Sequence, residues 1–347
     1  RAIGVAEASL RPGHPAIALY LKRLAMPLQE LGNLTDARAL QERALSIFEQ
    51  TFAPDAPAIA QQLNDLADTL RLQGEYTAAR PLYERALNIF ERSLGPDHSY
   101  VATVVYNLAM LSAALGDLTQ ARTLHQRAIA AWQKSFGPDH AVVAGALWEF
   151  GQALAEQGFD REALPNFERA LAIRRRAIGE NSAPVAQTLS SLAYSLANLE
   201  QIERARTLTE QALSIWSKIN GPKGTGFAGT LMVYGRVLAD KGDYAGASRA
   251  YLDARNVRLP LLGESHPALA ETDIALAGAL AGENKRLEAL STALHAEDVG
   301  RAHLRLLLGN LSERQALGYA ARRPLGLALA LSLVSQEGGA GPRVFDQ

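Results

Sequence analysis

The chain contains no cysteine among its 347 residues. That absence removes a disulfide framework, a thiolate zinc site and a cysteine nucleophile. It is compatible with a reducing compartment, and a cytoplasmic location is the expectation. Aromatic residues reach only 6%, low for an all-β sandwich. Neither sign of charge dominates: 35 Lys and Arg face 36 Asp and Glu, a formal net charge of −1. Such a balance argues against a nucleic-acid binder that works through a bulk basic field. Long apolar runs are missing as well. The longest candidate, Leu325 to Val334, falls short of the roughly 20 residues that span a bilayer, so no membrane partner is expected. Alanine and leucine, by contrast, are everywhere, and a hydrophobic fraction of 48% suffices for a sizeable core. With about 150 residues as the ordinary domain size, the chain holds either two domains or a repeat array.

Internal repetition decides between them. The stretch Gly95-Pro96-Asp97-His98 returns as Gly137-Pro138-Asp139-His140, and looser copies begin at Gly179, Gly221 and Gly263, each 42 residues after the last. Pro12 and Pro54 fall in step upstream of Pro96. Alanines keep the same period in three series, starting at Ala18, Ala37 and Ala44 and each running through seven copies to Ala270, Ala289 and Ala296. A small side chain at one fixed point of every repeat means that another helix backbone passes close there. Leu63, Leu66, Ala67 and Leu70 follow helical spacing, as do Ala79, Leu82, Tyr83 and Ala86. Between those stretches Gly74, in register with Gly32, Gly116, Gly158 and Gly242, reads as a left-handed helix stop. Asn284 and Glu200 occupy that position in the other two copies; asparagine tolerates the conformation, and nothing in the sequence accounts for the glutamate. Each unit is therefore a helix A, a tight turn, a longer helix B and a loop. Seven units run from about residue 16 to about residue 302. Arg1-Ala2-Ile3 stands one period before Arg43-Ala44-Leu45, so the chain is expected to open inside a helix B, with more repeats upstream.

Leu66-Ala67, Leu70, Gly74, Tyr76, Ala79, Tyr83 and Ala86 resemble the signature of the tetratricopeptide repeat (TPR). The long period, and the run from Glu84 to Glu91 followed by Gly95-Pro96-Asp97-His98, resemble the 42-residue subtype of kinesin light chains and many bacterial sensor proteins. The resemblance implies an all-α, right-handed α-solenoid of seven helix pairs spanning 16–302. Residues 1–15 would close a truncated preceding repeat. Residues 303–336 would form a helical cap or junction, and 337–347 a linker. Within that tail, Ser312-Glu313-Arg314-Gln315 reads as a capping box, and a short helix is expected from Leu325 to Ser335. The segments Leu306–Leu308, Leu311–Leu317 and Leu327–Ser332 resemble the junction that joins bacterial TPR arrays to a CHAT domain, a caspase-like protease with a His and Cys dyad. Any such dyad would lie outside these residues.

Catalytic and metal chemistry find little support. His14, His98, His140 and His266 share one loop position, and equivalent points of successive repeats are too far apart for ligands about 2 Å from one zinc. His125, His295 and His303 read as helix-surface or cap residues. Gly221-Pro222-Lys223-Gly224-Thr225-Gly226 lacks the Gly-Lys-Ser/Thr order of a phosphate loop. Arg174-Arg175-Arg176 closes a helix B and reads as a solvated face complementing the helix dipole. No enzyme activity, metal or cofactor is expected within the chain.

The resemblance places the functional surface on helix A, whose outward face lines the concave groove of TPR arrays. By register that face carries Lys22, Arg23 and Met26, then Gln61, Asn64, Asp65, Asp68 and Arg71. It continues with Tyr106, Asn107 and Met110, then Trp148, Glu149 and Gln152. Ser190, Ser191 and Tyr194 follow, and after them Met232, Val233 and Arg236. Large apolar groups at positions where periodicity demands no core are suited to anchor a peptide. The expected function is a non-enzymatic module binding a peptide, a partner protein or a covalently linked CHAT domain. A cargo or assembly adaptor like the kinesin light chains is the alternative. No repeated Lys/Asn set marks a clamp for a C-terminal carboxylate.

Overall fold

A computed structural model describes residues 9–308, apart from residue 12, and residues 326–335. Its fifteen helices fall into seven antiparallel pairs and one terminal helix. The first pair is α1 (Pro15–Glu30) and α2 (Leu34–Thr51), followed by α3 (Pro57–Leu72) with α4 (Tyr76–Leu94) and α5 (Ser99–Ala114) with α6 (Leu118–Phe136). Next come α7 (Ala141–Glu156) and α8 (Asp160–Ile178), then α9 (Ala183–Asn198) and α10 (Ile202–Asn220). The last pairs are α11 (Thr225–Asp240) with α12 (Tyr244–Leu262) and α13 (Pro267–Gly282) with α14 (Arg286–Leu308), before α15 (Gly326–Ser335). Every helix A has 16 residues, and five of the seven B helices have 19. The described residues contain no strand. The chain divides inside α7, between Phe150 and Gly151, into two compact units.

Within each unit the packing follows the period. Inside one unit a helix A packs on its own helix B and, after α1, on the helix B before it, and neighbouring A helices also touch, as α3 does α5 and α9 does α11. All three alanine series are buried, nearly all completely. Ala247 of α12 sits among Leu238, Tyr251, Leu276 and Leu280, and Ala270 meets Ala296. Two A helices shed even the methyl group: a Cβ at Gly151 would lie 2.7 Å from the Phe167 ring, and one at Gly235 2.6 Å from Tyr251. At the C-terminal end, Leu329, Ala330 and Leu333 of α15 cover the apolar surface of α13 and α14. Of the helix expected over 325–335, residues 326–335 are helical. The capping box at Ser312, the linker of 337–347 and residues 1–8 lie outside the described residues.

The loops explain the recurring histidines. The Nδ1 atoms of His14, His98, His140 and His266 accept hydrogen bonds of 3.1–3.3 Å from the backbone N–H of Ala16, Tyr100, Val142 and Ala268. Each thereby satisfies one of the orphan donors at a helix start. Gly95, before its His, holds φ 87° and ψ 159°, a region essentially closed to residues with a Cβ. At the A-to-B turn the left-handed conformation persists where glycine does not: Asn284 has φ 63° and Glu200 φ 61°. An L-residue there costs roughly 1–2 kcal/mol.

Two expectations for single residues are corrected. Arg174 does not lie on a solvated face; its Nη1 donates to the Pro184 carbonyl at 2.9 Å and to the Thr188 hydroxyl at 2.6 Å. Arg258 repeats the arrangement one period apart twice over, donating to Ala268 and Thr272, and Trp216 Nε1 donates to Thr230 at 3.1 Å. The first three repeats place Phe48, Phe90 and Trp132 at this position, so an arginine there needs a hydroxyl and a carbonyl opposite. His125 is not a surface residue either. It occupies the register of Tyr83, Phe167 and Tyr251, is 2% exposed, stacks on Phe150 at 5.1 Å and meets the edge of Tyr106 at 5.4 Å. Neither ring nitrogen has a hydrogen-bond partner. Burial drives its pKa from an ordinary 6.5 down to about 4.

Three stability measurements test this account. Ala79→Leu and Ala247→Leu should each destabilise the chain by roughly 1–3 kcal/mol in denaturant unfolding, the cost of forcing extra methylenes into a filled contact; unchanged midpoints would mean that no backbone passes close there. Glu200→Gly should stabilise by about 1 kcal/mol through relief of the left-handed strain, with a smaller gain for Asn284→Gly. For His125 the folded state resists a proton that the unfolded chain accepts near pH 6.5. Stability should therefore fall as pH drops below 6.5, by up to about 1.4 kcal/mol per pH unit, and level off near pH 4. His125→Phe removes this term, so its advantage over the wild type should widen by about 2 kcal/mol between pH 7.5 and pH 5; parallel pH profiles would contradict it.

Candidate functional site

Helix A contributes one buried stripe to the core and leaves the neighbouring positions half-exposed. In the unit ending at Phe150, those positions are joined from repeat to repeat. Lys22 Nζ of α1 pairs with Asp65 of α3 at 2.9 Å. Gln29 of α1 donates to Asp68 at 2.8 Å, and Arg71 holds the same carboxylate at 2.6 Å. Asn107 Nδ2 of α5 donates to Asn64 Oδ1 at 3.0 Å. The Tyr106 hydroxyl donates to Glu149 of α7. Burial first, and then that bond to a carboxylate, push the Tyr106 phenol above its ordinary pKa of 10, so it stays a donor. Its ring leans on Trp132, 5.6 Å away, and on His125. Trp148 and Met110 are half-buried, whereas Arg23 and Met26 are exposed.

Of the residues expected from register, the first unit thus brings Lys22, Asn64, Asp68, Arg71, Tyr106, Asn107 and Glu149 into linked contacts across successive A helices. The second unit forms its own group. Arg236 of α11 lies 5.0 Å over the ring of Tyr194 on α9 and 3.6 Å from Asp240. A cation over an exposed ring contributes about 0.5–1 kcal/mol. Met232 packs onto the core around Leu238 and Tyr251, and Gln152 is half-buried.

A cavity lies on this face in the first unit. About 460 Å³ in volume, it is bounded by Lys22, Met26, Gln29 and Glu30 of α1, Gln41 of α2, and Gln61, Asn64, Asp65, Asp68 and Leu72 of α3. Gln41, which the register of helix A does not reach, stands where later repeats place Tyr83, His125 and Phe167. It is 2% exposed, and its Oε1 has no hydrogen-bond partner. A second polar residue escaped notice in the other unit. Asp273, 1% exposed, replaces the leucine found at Leu21, Leu63, Leu147, Leu189 and Leu231. Arg255 and His295 hold its carboxylate at 2.7 and 2.8 Å, so both buried oxygens have a partner. The signal for both residues was available as a break in an apolar register; their partners were not.

Among the described residues no three His, Asp or Glu side chains gather as a metal site, and no helix is long and apolar enough to cross a membrane.

Comparison with solved structures returns proteins of the same architecture. The nearly identical TPR-like repeats of a kinesin light chain protein from Podosopora anserina align with a TM-score of 0.53 and 23% identity, covering 60% of this chain and 98% of that one. BtubC (BKLC) from P. vanneervenii gives 0.53 and 21%, covering 70% and 92%. A tetratricopeptide repeat protein from Parabacteroides merdae gives 0.55 and 14%, covering 90% and 98%. At these identities the likeness is one of fold. No curated protein matches the sequence. The profile of the tetratricopeptide repeat, however, matches residues 15–92, 59–112, 100–176 and 142–218, together more than half of the chain. Joined to the seven helix pairs and the buried alanine series, that match means that the chain belongs to the tetratricopeptide repeat family.

Proposed function

We propose that the A-helix faces are binding surfaces for a peptide or a segment of a partner protein, with Tyr106 and Trp148 as apolar anchors in the first unit and Tyr194 and Arg236 as contacts in the second. The observation that carries this reading is the ladder from Lys22 to Glu149. It holds half-exposed polar side chains in fixed positions on successive A helices without using them for the core. Such preorganised groups meet a ligand with little loss of side-chain entropy. The surface binds and does no chemistry.

The division into repeats over 16–302 and a cap or junction over 303–336 fits an array that hands a binding event to whatever follows it. The tail's resemblance to a TPR-to-CHAT junction supports a regulatory arm for a caspase-like protease, in a cytoplasmic and bacterial setting. Ligand would act there through unequal affinity for two states of the arm. The kinesin light chain-like structural neighbours favour the second reading, a cargo or assembly adaptor. A parent polypeptide with a His/Cys caspase-like domain after Gln347 decides for the first, and its absence for the second.

Titration of the full chain against a library of short peptides tests the surface. Trp148→Ala should weaken binding some thirtyfold, about 2 kcal/mol for a truncated anchor. Arg236→Glu should alter association rate and salt dependence more than dissociation. Equal behaviour of wild type and both variants would move the working surface to the B helices or the loops.

A further inference from the structure

We infer that the cavity between α1 and α3 is a subsite for a basic side chain, a lysine or arginine of the bound peptide. The inference rests on the reading of the A-helix face as a binding surface and names what that surface selects. Three carboxylates, Glu30, Asp65 and Asp68, border the cavity. Lys22 neutralises Asp65 and Arg71 neutralises Asp68, whereas Glu30 has no ion-pair partner among the described residues. The cavity therefore keeps one uncompensated negative charge.

Gln41 points to a ligand independently of that charge. The residue is 2% exposed beside the cavity, and its Oε1 is left without a donor. An unsatisfied buried acceptor costs roughly 1–3 kcal/mol. The last torsion of a glutamine is broad, so a turn of the amide presents that oxygen to a donor entering the cavity. The acceptors already present are mostly matched: Asn64 Oδ1 receives Asn107, and Asp68 receives Gln29, Arg71 and Tyr83. What the cavity lacks is a donor carrying positive charge.

Its walls fit the rest of such a residue. Met26 and Leu72 are 53% and 46% exposed and offer apolar surface to an aliphatic stem, which lysine and arginine lay along such surfaces while the head reaches polar groups. An acidic side chain would meet Glu30 as a like charge. A wholly apolar one would leave Gln41 Oε1 unmet.

The test uses the full chain and a positional-scanning library of short peptides blocked at both termini, so that only side chains carry charge. Pools with Lys or Arg fixed at one position should bind about tenfold tighter than pools with norleucine or citrulline there, a factor of ten being 1.4 kcal/mol. Glu30→Lys should abolish that preference and turn it toward Glu. Gln41→Leu should reduce it severalfold, while Trp148→Ala lowers affinity for all pools and leaves the preference intact. Melting curves check that each variant folds. If Gln41→Leu does not fold, the exposed Glu30→Lys decides alone. Binding without a basic preference, or a preference unchanged in Glu30→Lys, overturns the subsite but not the surface. No binding by any pool overturns the surface and the subsite with it.

Discussion

Everything in this molecule depends on helices approaching closely at the same points of every repeat. Three of these points are held by an alanine in every copy, as around Ala247, and a fourth, the register of Ala67 and Ala109, carries no side chain at all at Gly151 and Gly235. A helix pair of this length cannot bury its apolar stripe alone. Stacking buries it against the neighbour, so the stability of one repeat is also that of the next. The period is therefore a physical requirement: one inserted residue would rotate the alanine off the contact and carry the whole stripe with it.

Polar residues that enter this frame in place of apolar ones mostly find a partner there. Arg174 and Arg258 replace aromatic rings because a threonine hydroxyl and a backbone carbonyl stand opposite. Asp273 replaces a leucine because Arg255 and His295 reach both of its oxygens. A buried carboxylate without them would face a desolvation cost of several kcal/mol. His125 and Gln41 share the register of Tyr83 and both keep side-chain atoms without a partner. His125 answers by staying neutral among aromatic rings. Gln41 keeps an unmet oxygen beside a cavity.

Because the close contacts occupy one side of each helix A and both of its flanking B helices, the remaining side is released from core duty. Its residues are free to differ from repeat to repeat, and they do: Lys22, Asn64, Tyr106 and Trp148 share one position. The links among them, from Lys22–Asp65 to Tyr106–Glu149, pin long side chains in place. A fixed spacing thus presents a varied chemical surface, the property that a recognition module requires.

The sequence by itself determined the repeat, the helix pairs, the left-handed stops and the buried alanines, because each follows from a local rule applied at a constant interval. Even the histidine caps were marked by their shared position, although their role needed the hydrogen bond to the second residue of each helix. Side-chain partnership between repeats was decided only by tertiary structure. Arg174 and Thr188 are a helix apart in the chain, and Asn64 and Asn107 almost exactly one period apart, yet many residues at those separations never touch. Whether a polar group is solvated, paired or stranded depends on which neighbour the packing brings within about 3 Å. Helical periodicity assigns a residue to a face; the atom it meets there is a property of the folded interface.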